Sequence, residues 1–176
     1  MCIRDRLHYI DFTGNYFSVK GPSITPRSPQ GQPVVAALAH ASPIYEFAKR
    51  STDLVFITPR DDESLRAIGA EVTGLKVYAD LYVTFGGVVD PRSDALVFDG
   101  TPTELVELLL HWQESGIEGV RLRPAVNATD LGVIVDEVVP LLQQAGRFRT
   151  GYADDDTLRE RLGLPVADNR YVRSTR

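Results

Sequence analysis

The stretch from Gly31 to Pro59, GQPVVAALAHASPIYEFAKRSTDLVFITP, constrains the fold of this 176-residue chain more than any other part. Pro33–Ala39 is a continuous apolar run, the pattern expected of a parallel strand covered on both faces. Ser42-Pro43 then opens a short helix over 43–50, serine as the cap and proline in the first turn. Leu54–Thr58 is a second apolar strand. Strand, turn, helix, strand is one βαβ unit. Its turn, Ala39-His40-Ala41-Ser42, lies where backbone N–H groups lack intrahelical acceptors and the helix dipole favours an anion. These four residues are the candidate binding site for a phosphate group.

The same alternation continues along the chain. Asp61 or Asp62 caps a helix through about Val72, and Leu75–Phe85 reads as a strand that ends at Gly86-Gly87. Val88–Asp99 is polar and turn-rich and reads as a loop. Thr101-Pro102-Thr103-Glu104 is a capping box with proline at the first helical position, and the helix it opens runs to Ser115. Gly119–Arg123 is a short strand closed by Pro124. A last long helix over about 130–145 and a small one near Thr157–Leu162 follow. Upstream, Leu7–Val19 alternates around Gly14-Asn15, which marks a hairpin, and the proline-rich segment to Gly31 reads as an extended connection. Strands near 34, 54, 76 and 119, each followed by a helix, predict a parallel α/β sheet with right-handed crossovers. A doubly wound sheet and half of a (β/α)8 barrel both satisfy that pattern. A whole barrel takes about 250 residues, so four units correspond to half of one.

Composition excludes several classes. A net charge of −5 provides no footprint for nucleic acid, and no apolar run reaches the roughly 20 residues of a membrane span. Cys2 is the sole cysteine, which removes an intrachain disulfide and a cysteine-based metal cluster from consideration. No metal-ligand spacing or nucleotide-binding glycine motif is found. The cytoplasm is the expected compartment. Met1-Cys2-Ile3-Arg4-Asp5 resembles the translated end of a sequencing adapter. Residues 1–6 are accordingly set apart as a tail or artefact, 7–170 as the C-terminal part of a barrel domain, and 171–176 as a polar tail. The chain is thus expected to be a fragment.

Gly14-Asn15-Tyr16-Phe17-Ser18-Val19-Lys20-Gly21-Pro22 and Pro26-Arg27-Ser28-Pro29-Gln30-Gly31-Gln32-Pro33-Val34-Val35 resemble the bacterial luciferase-like flavin monooxygenases. The similarity is to the nitrilotriacetate, alkane and dibenzothiophene-sulfone branch. Asp99-Gly100-Thr101-Pro102, Val139–Leu142, Arg147–Tyr152 and Thr157–Leu164 extend it over nearly the whole chain. The resemblance implies the C-terminal half of a (β/α)8 TIM barrel with an N-terminal hairpin insertion. It implies reduced FMN, supplied by a flavin reductase, as cofactor, and dioxygen and a small organic molecule as substrates. It also implies that the flavin phosphate sits at the turn Ala39, His40, Ala41, Ser42. Relatives often carry Gln-Ala-Gly-Ser-Ser there. This chain has alanine at position 41 where a serine would stand, with Ser42 one place later and His40 as a further donor.

On the strand near 76, Tyr78, Asp80 and Tyr82 alternate toward one side and suit a barrel interior. Arg123 lies at the C-terminal end of the last strand, the catalytic face of such barrels, and is a candidate for flavin or substrate contact. No catalytic acid, base or nucleophile is identified, and no metal site. Two rivals share these features: a deazaflavin-dependent oxidoreductase on the same barrel, and a non-catalytic half-barrel that dimerises around phosphorylated ligands. A homo-oligomer is compatible with any of them.

Overall fold

The computed structural model describes residues 9–22, 27–87 and 92–168. These fall into two units, one formed by the described residues up to 33 and from 155 onward, the other by those within 34–154. The adapter-like residues 1–6 and the polar tail 171–176 lie outside the described residues, as do Val88–Pro91 of the expected loop.

In the larger unit, β3 (Ala36–Leu38), β4 (Leu54–Ile57), β5 (Lys76–Thr84), β6 (Leu96–Asp99) and β7 (Gly119–Pro124) form one parallel sheet. The register aligns Leu38, Phe56, Tyr78 and Gly119 across four strands. Tyr78 and Ala79 pair with both β4 and β7, and Leu81 to Val83 pair with both β6 and β7. A strand has only two hydrogen-bonding edges. Hence β7 runs along one edge of β5, while β4 and β6 share the other, β6 lying beyond the C-terminal end of β4. Leu96–Asp99 is therefore a strand and not part of a loop, a correction that hydrophobic patterning missed because four residues are too short for it to register.

Alternation along the strands gives the sheet two unlike faces. Val55, Ile57, Ala79, Leu81 and Val83 are wholly buried on one face and join the core with the helices. Those helices are α1 (Ser42–Ser51), α2 (Asp62–Glu71) and α3 (Pro102–Glu114), which supply Tyr45 and Ala48, Leu65, and Leu105, Leu109 and Trp112 respectively. The other face carries Leu38, Phe56, Tyr78, Asp80 and Tyr82. The expectation that the Pro33–Ala39 strand is covered on both faces does not hold. Ala36 and Leu38 of β3 are exposed, because β3 is an edge strand and no helix of 34–154 among the described residues covers that side.

The predicted helix starts stand at Asp61 and Thr101, each closed by a reciprocal capping box with Ser64 and Glu104. The first helix differs. Its cap is Ala41, in extended conformation, and Ser42 is already the first helical residue, so Ser42 is not the cap that the Ser-Pro pair predicts. The last long helix comprises α4 (Asp130–Val133), a π-helical stretch (Ile134–Val138) and α5 (Val139–Gln144). Pro140 explains the π turn. Lacking an N–H, it leaves the regular ladder unfilled, and the Val139 N–H reaches back five residues to the Ile134 carbonyl.

The smaller unit holds the hairpin of β1 (Phe12–Thr13) and β2 (Ser18–Val19), as the Gly14-Asn15 signal predicts. It also pairs the proline-rich block with α6 (Leu158–Arg161) and the residues after it. The Gln30 side-chain oxygen accepts from the Arg159 N–H at 3.1 Å, and the Arg27 guanidinium donates to the Ala167 carbonyl. Gly31 has φ +82°, and a Cβ there would lie 2.3 Å from the Ala167 oxygen. Gly31→Ala therefore combines backbone strain with a clash against backbone. It is expected to cost about 1–3 kcal/mol and to release residues 158–167, read as faster amide exchange confined to that segment.

Candidate active-site face at the strand ends

Residues in register on parallel strands share a face, so the uncovered face of the sheet is built in layers. The deepest holds Leu38, Phe56, Tyr78 and Gly119. The Phe56 and Tyr78 rings meet edge to face with centroids 5.9 Å apart. Tyr78 also lies across Gly119, where an added Cβ would come within 2.5 Å of the ring. Burial, and then the Glu118 carboxylate, push the Tyr78 phenol above its ordinary 10.0. Gly119→Ala should displace the ring into water and lower that value toward 10.0. The cost should be about 1 kcal/mol, and an NMR titration of Tyr78 against pH reads it.

The next layer is polar. Asp80 has no exposed surface and faces Arg121, its partner in the β5–β7 register. Arg121 Nε donates to Asp80 Oδ1 at 2.5 Å and Nη2 to Oδ2 at 2.6 Å, a bidentate pair. The Arg121 guanidinium stacks on the Phe56 ring at 4.7 Å, so the aromatic layer supports the charged one. On the β3 and β4 side, His40 Nδ1 lies 2.9 Å from Thr58 Oγ1.

Nearer the C-terminal ends, Arg123 Nη1 donates to Asp80 Oδ2 at 3.1 Å and to Asp94 Oδ1 at 2.8 Å, and its guanidinium lies 5.6 Å from the Tyr82 ring centre. The Arg123 hydrogen bond holds the Asp94 carboxyl below the usual range, and the two carboxylates raise Arg121 and Arg123 above the ordinary guanidinium value. Asp94 belongs to the residues before β6, where Arg60 also donates to the carbonyls of Ser93 and Asp94 at 3.4 and 3.5 Å.

Sequence reasoning thus placed Tyr78, Asp80 and Tyr82 on the inward face and Arg123 at the C-terminal end of the last strand. The structure brings Asp80 and Tyr82 to Arg123 and leaves Tyr78 on the same face against Phe56 and Gly119. It missed Asp94, whose partner is 29 residues away, and Thr58, which looked like the tail of an apolar strand. The turn Ala39, His40, Ala41, Ser42 stands beside this face. Ala39 is wholly buried, His40 through Ser42 are exposed, and Ala41 makes no side-chain cap bond. His111 pairs with Asp62 at 2.8 Å between α3 and α2. Among the described residues no group of His, Cys, Asp and Glu could hold a metal ion.

No family model matches the chain. Comparison with known proteins is nevertheless informative. The chain is 22% identical to N-acetyl-S-(2-succino)cysteine monooxygenase of Bacillus subtilis (strain 168), over 97% of this chain and 58% of that protein. It is 23% identical to nitrilotriacetate monooxygenase component A of Aminobacter aminovorans, over 97% and 57%. The structure superposes on EDTA monooxygenase (EmoA) from Chelativorans sp. BNC1 with a TM-score of 0.76, at 22% identity, over 89% of this chain and 55% of that one. The chain is similar in sequence to these monooxygenases over just over half their length and shares the fold of the matched part of EmoA.

The luciferase-like resemblance is thereby borne out, and so is the reading of the fold as part of a (β/α)8 barrel. The chain spans just over half the length of the relatives it matches. The stretch aligned with the Bacillus relative is 259 positions long against 176 residues here, so that relative carries residues inside the matched region that have no counterpart in this chain.

Proposed function

We propose that the chain is the C-terminal half-barrel of a luciferase-like monooxygenase, in which reduced FMN from a flavin reductase and dioxygen oxygenate a small organic substrate in the cytoplasm. The carrying observation is convergence. Toward the C-terminal ends of the strands, His40, Thr58, Arg121 and Arg123 share one face of the sheet with Asp80 and Tyr82 of β5, beside the N-terminus of α1. In (β/α)8 enzymes that end of the strands is the catalytic one.

The residues present fit a flavin phosphate. α1 has no acidic residue in its first turn and no side chain capping it, whereas α2 and α3 close their own ends with capping boxes. The Ser42 N–H and hydroxyl and the His40 ring would hold the phosphate, and the small side chain of exposed Ala41 leaves room for it. When bound, reduced FMN supplies the electrons that let one atom of dioxygen enter the substrate while the other leaves as water. The protein's part is to orient the ring and keep water from it.

Among the described residues the outer edges of β3 and β7 pair with no further strand, and these edges with a groove of about 530 Å³ beside β7 support the half-barrel reading. The groove is lined by Tyr78, Ile117, Val120, Leu122, Leu142 and Phe148, an apolar surface on which further strands and helices would pack. The 176-residue chain alone is accordingly expected to bind FMN far more weakly than an intact relative.

The test is oxygen uptake by the complete reading frame, supplied with FMN, a flavin reductase and NADH. Substrate-dependent uptake beyond the reductase background supports the proposal. Hydride transfer to a deazaflavin without oxygen uptake would replace it with the oxidoreductase reading. A defined dimer of this chain that binds flavin without turnover would favour the non-catalytic half-barrel.

A further inference from the structure

We infer that Arg121 and Arg123 form a subsite for a carboxylate of the substrate, with Asp94 as a built-in counter-ion that the substrate displaces. The inference rests on the monooxygenase reading for the word substrate, and on the geometry for everything else.

Two carboxylates already sit on these guanidinium groups, and they are not equivalent. Asp80 is wholly buried on a central strand, and both its oxygens are engaged by the arginines. It neutralises one positive charge permanently. Asp94 lies outside the sheet strands, its side chain is 47% exposed, and it holds Arg123 through one hydrogen bond. The second positive charge is therefore balanced by a group that can swing into water at little cost.

The arginines retain donors for an incoming anion. Arg121 Nη1 and Arg123 Nε and Nη2 make no hydrogen bond to the described residues, and the two side chains are 41% and 33% exposed. Stacking on Phe56 and Tyr82 fixes both planes, so little side-chain freedom remains to be lost on binding. A planar, forked donor matches a carboxylate better than it matches a neutral oxygen. Exchange of Asp94 for a substrate carboxylate preserves the charge balance, whereas a neutral substrate would leave Asp94 in place. Arg60 holds the Ser93 and Asp94 backbone, so only the Asp94 side chain needs to move.

Citrate is a suitable probe, and its trimethyl ester a neutral control. The chain, labelled with nitrogen-15 at arginine, is titrated at fixed ionic strength and the Arg121 and Arg123 Nε–H signals are followed. Citrate should shift both signals saturably and the ester should not. Arg123→Met should weaken citrate binding about tenfold or more. Asp94→Asn should strengthen it several-fold, because the competing carboxylate is gone. That gain is one a purely structural Asp94 would not produce, and it stands even if the Arg123 variant fails to fold. Equal binding of citrate and ester, shifts confined to other arginines, or an Asp94→Asn variant that binds no more tightly would overturn the subsite. Inorganic phosphate moving the same signals at lower concentration than citrate would also overturn it, in favour of a phosphate site. Oxygen uptake with reduced FMN is measured separately. Citrate binding by this chain without substrate-dependent uptake by the complete reading frame would keep the carboxylate subsite and remove the monooxygenase reading, and uptake by that reading frame without citrate binding would do the reverse.

Discussion

Arg121→Met is expected to lower the unfolding free energy by about 3–5 kcal/mol, because it strands a buried charge. Asp80 has no exposed surface, and Arg121 contributes its two shortest contacts, 2.5 and 2.6 Å. After the change a single donor remains, Arg123 at 3.1 Å. The opposite truncation should be milder. In Asp80→Ala the two guanidinium groups, already 41% and 33% exposed, can turn to solvent, and the cost should be about 1–2 kcal/mol. The asymmetry is the signature of a carboxylate held by arginines and not the reverse. Urea denaturation of the two variants reads it directly. Equal losses would show that the carboxylate reaches water in spite of its position on the central strand.

Trp112→Ala should be comparably severe, about 3–5 kcal/mol, for a different reason. Trp112 is 1% exposed and is the largest fully buried side chain, set in the core with Leu105 and Leu109 of the same helix. Removing the indole leaves a cavity between α3 and the sheet that the surrounding side chains cannot close without leaving their rotamers. Trp112 is also the sole tryptophan, so unfolding of the variant must be followed by circular dichroism. A loss below about 1 kcal/mol would mean that α3 does not anchor to the sheet through this face.

These two positions differ in how far sequence could reveal them. Trp112 was legible, since Leu105, Leu108, Leu109 and Trp112 recur at helical spacing behind the Thr101 capping box, and that periodicity is local. The inward face of β5 was legible in part. Alternation of Tyr78, Asp80 and Tyr82 states that they share a side, and the barrel that the family resemblance implies makes that side an interior one. That Asp80 is paired was not legible, because its partners are 41 and 43 residues away and the β5–β7 register had to be formed first.

The helix starts follow the same division. Thr101 to Glu104 encodes its own cap in four consecutive residues, and the structure reproduces it. Ser42-Pro43 carries a similar local signal, yet the helix begins one residue earlier with Ala41 as its cap. Ala39 donates its N–H to the Phe56 carbonyl and extends the pairing of β3 past its last strand residue, so where the chain leaves the sheet decides where the helix can begin.

The sequence by itself determined the alternation of strands and helices outside β6, the helix starts that Asp61 and Thr101 cap, and the apolar face of α3. Each of these depends on residues within one or two turns of each other. Only the tertiary structure decided that β6 lies beyond β4, that Asp94 meets Arg123, and that Gln30 and Gly31 pack against residues near 159 and 167. Those outcomes depend on hydrogen-bond register and close packing between segments far apart in the chain. No local pattern of residue types records such contacts, because the same residues at the same spacing are equally compatible with other pairings until the sheet closes around them.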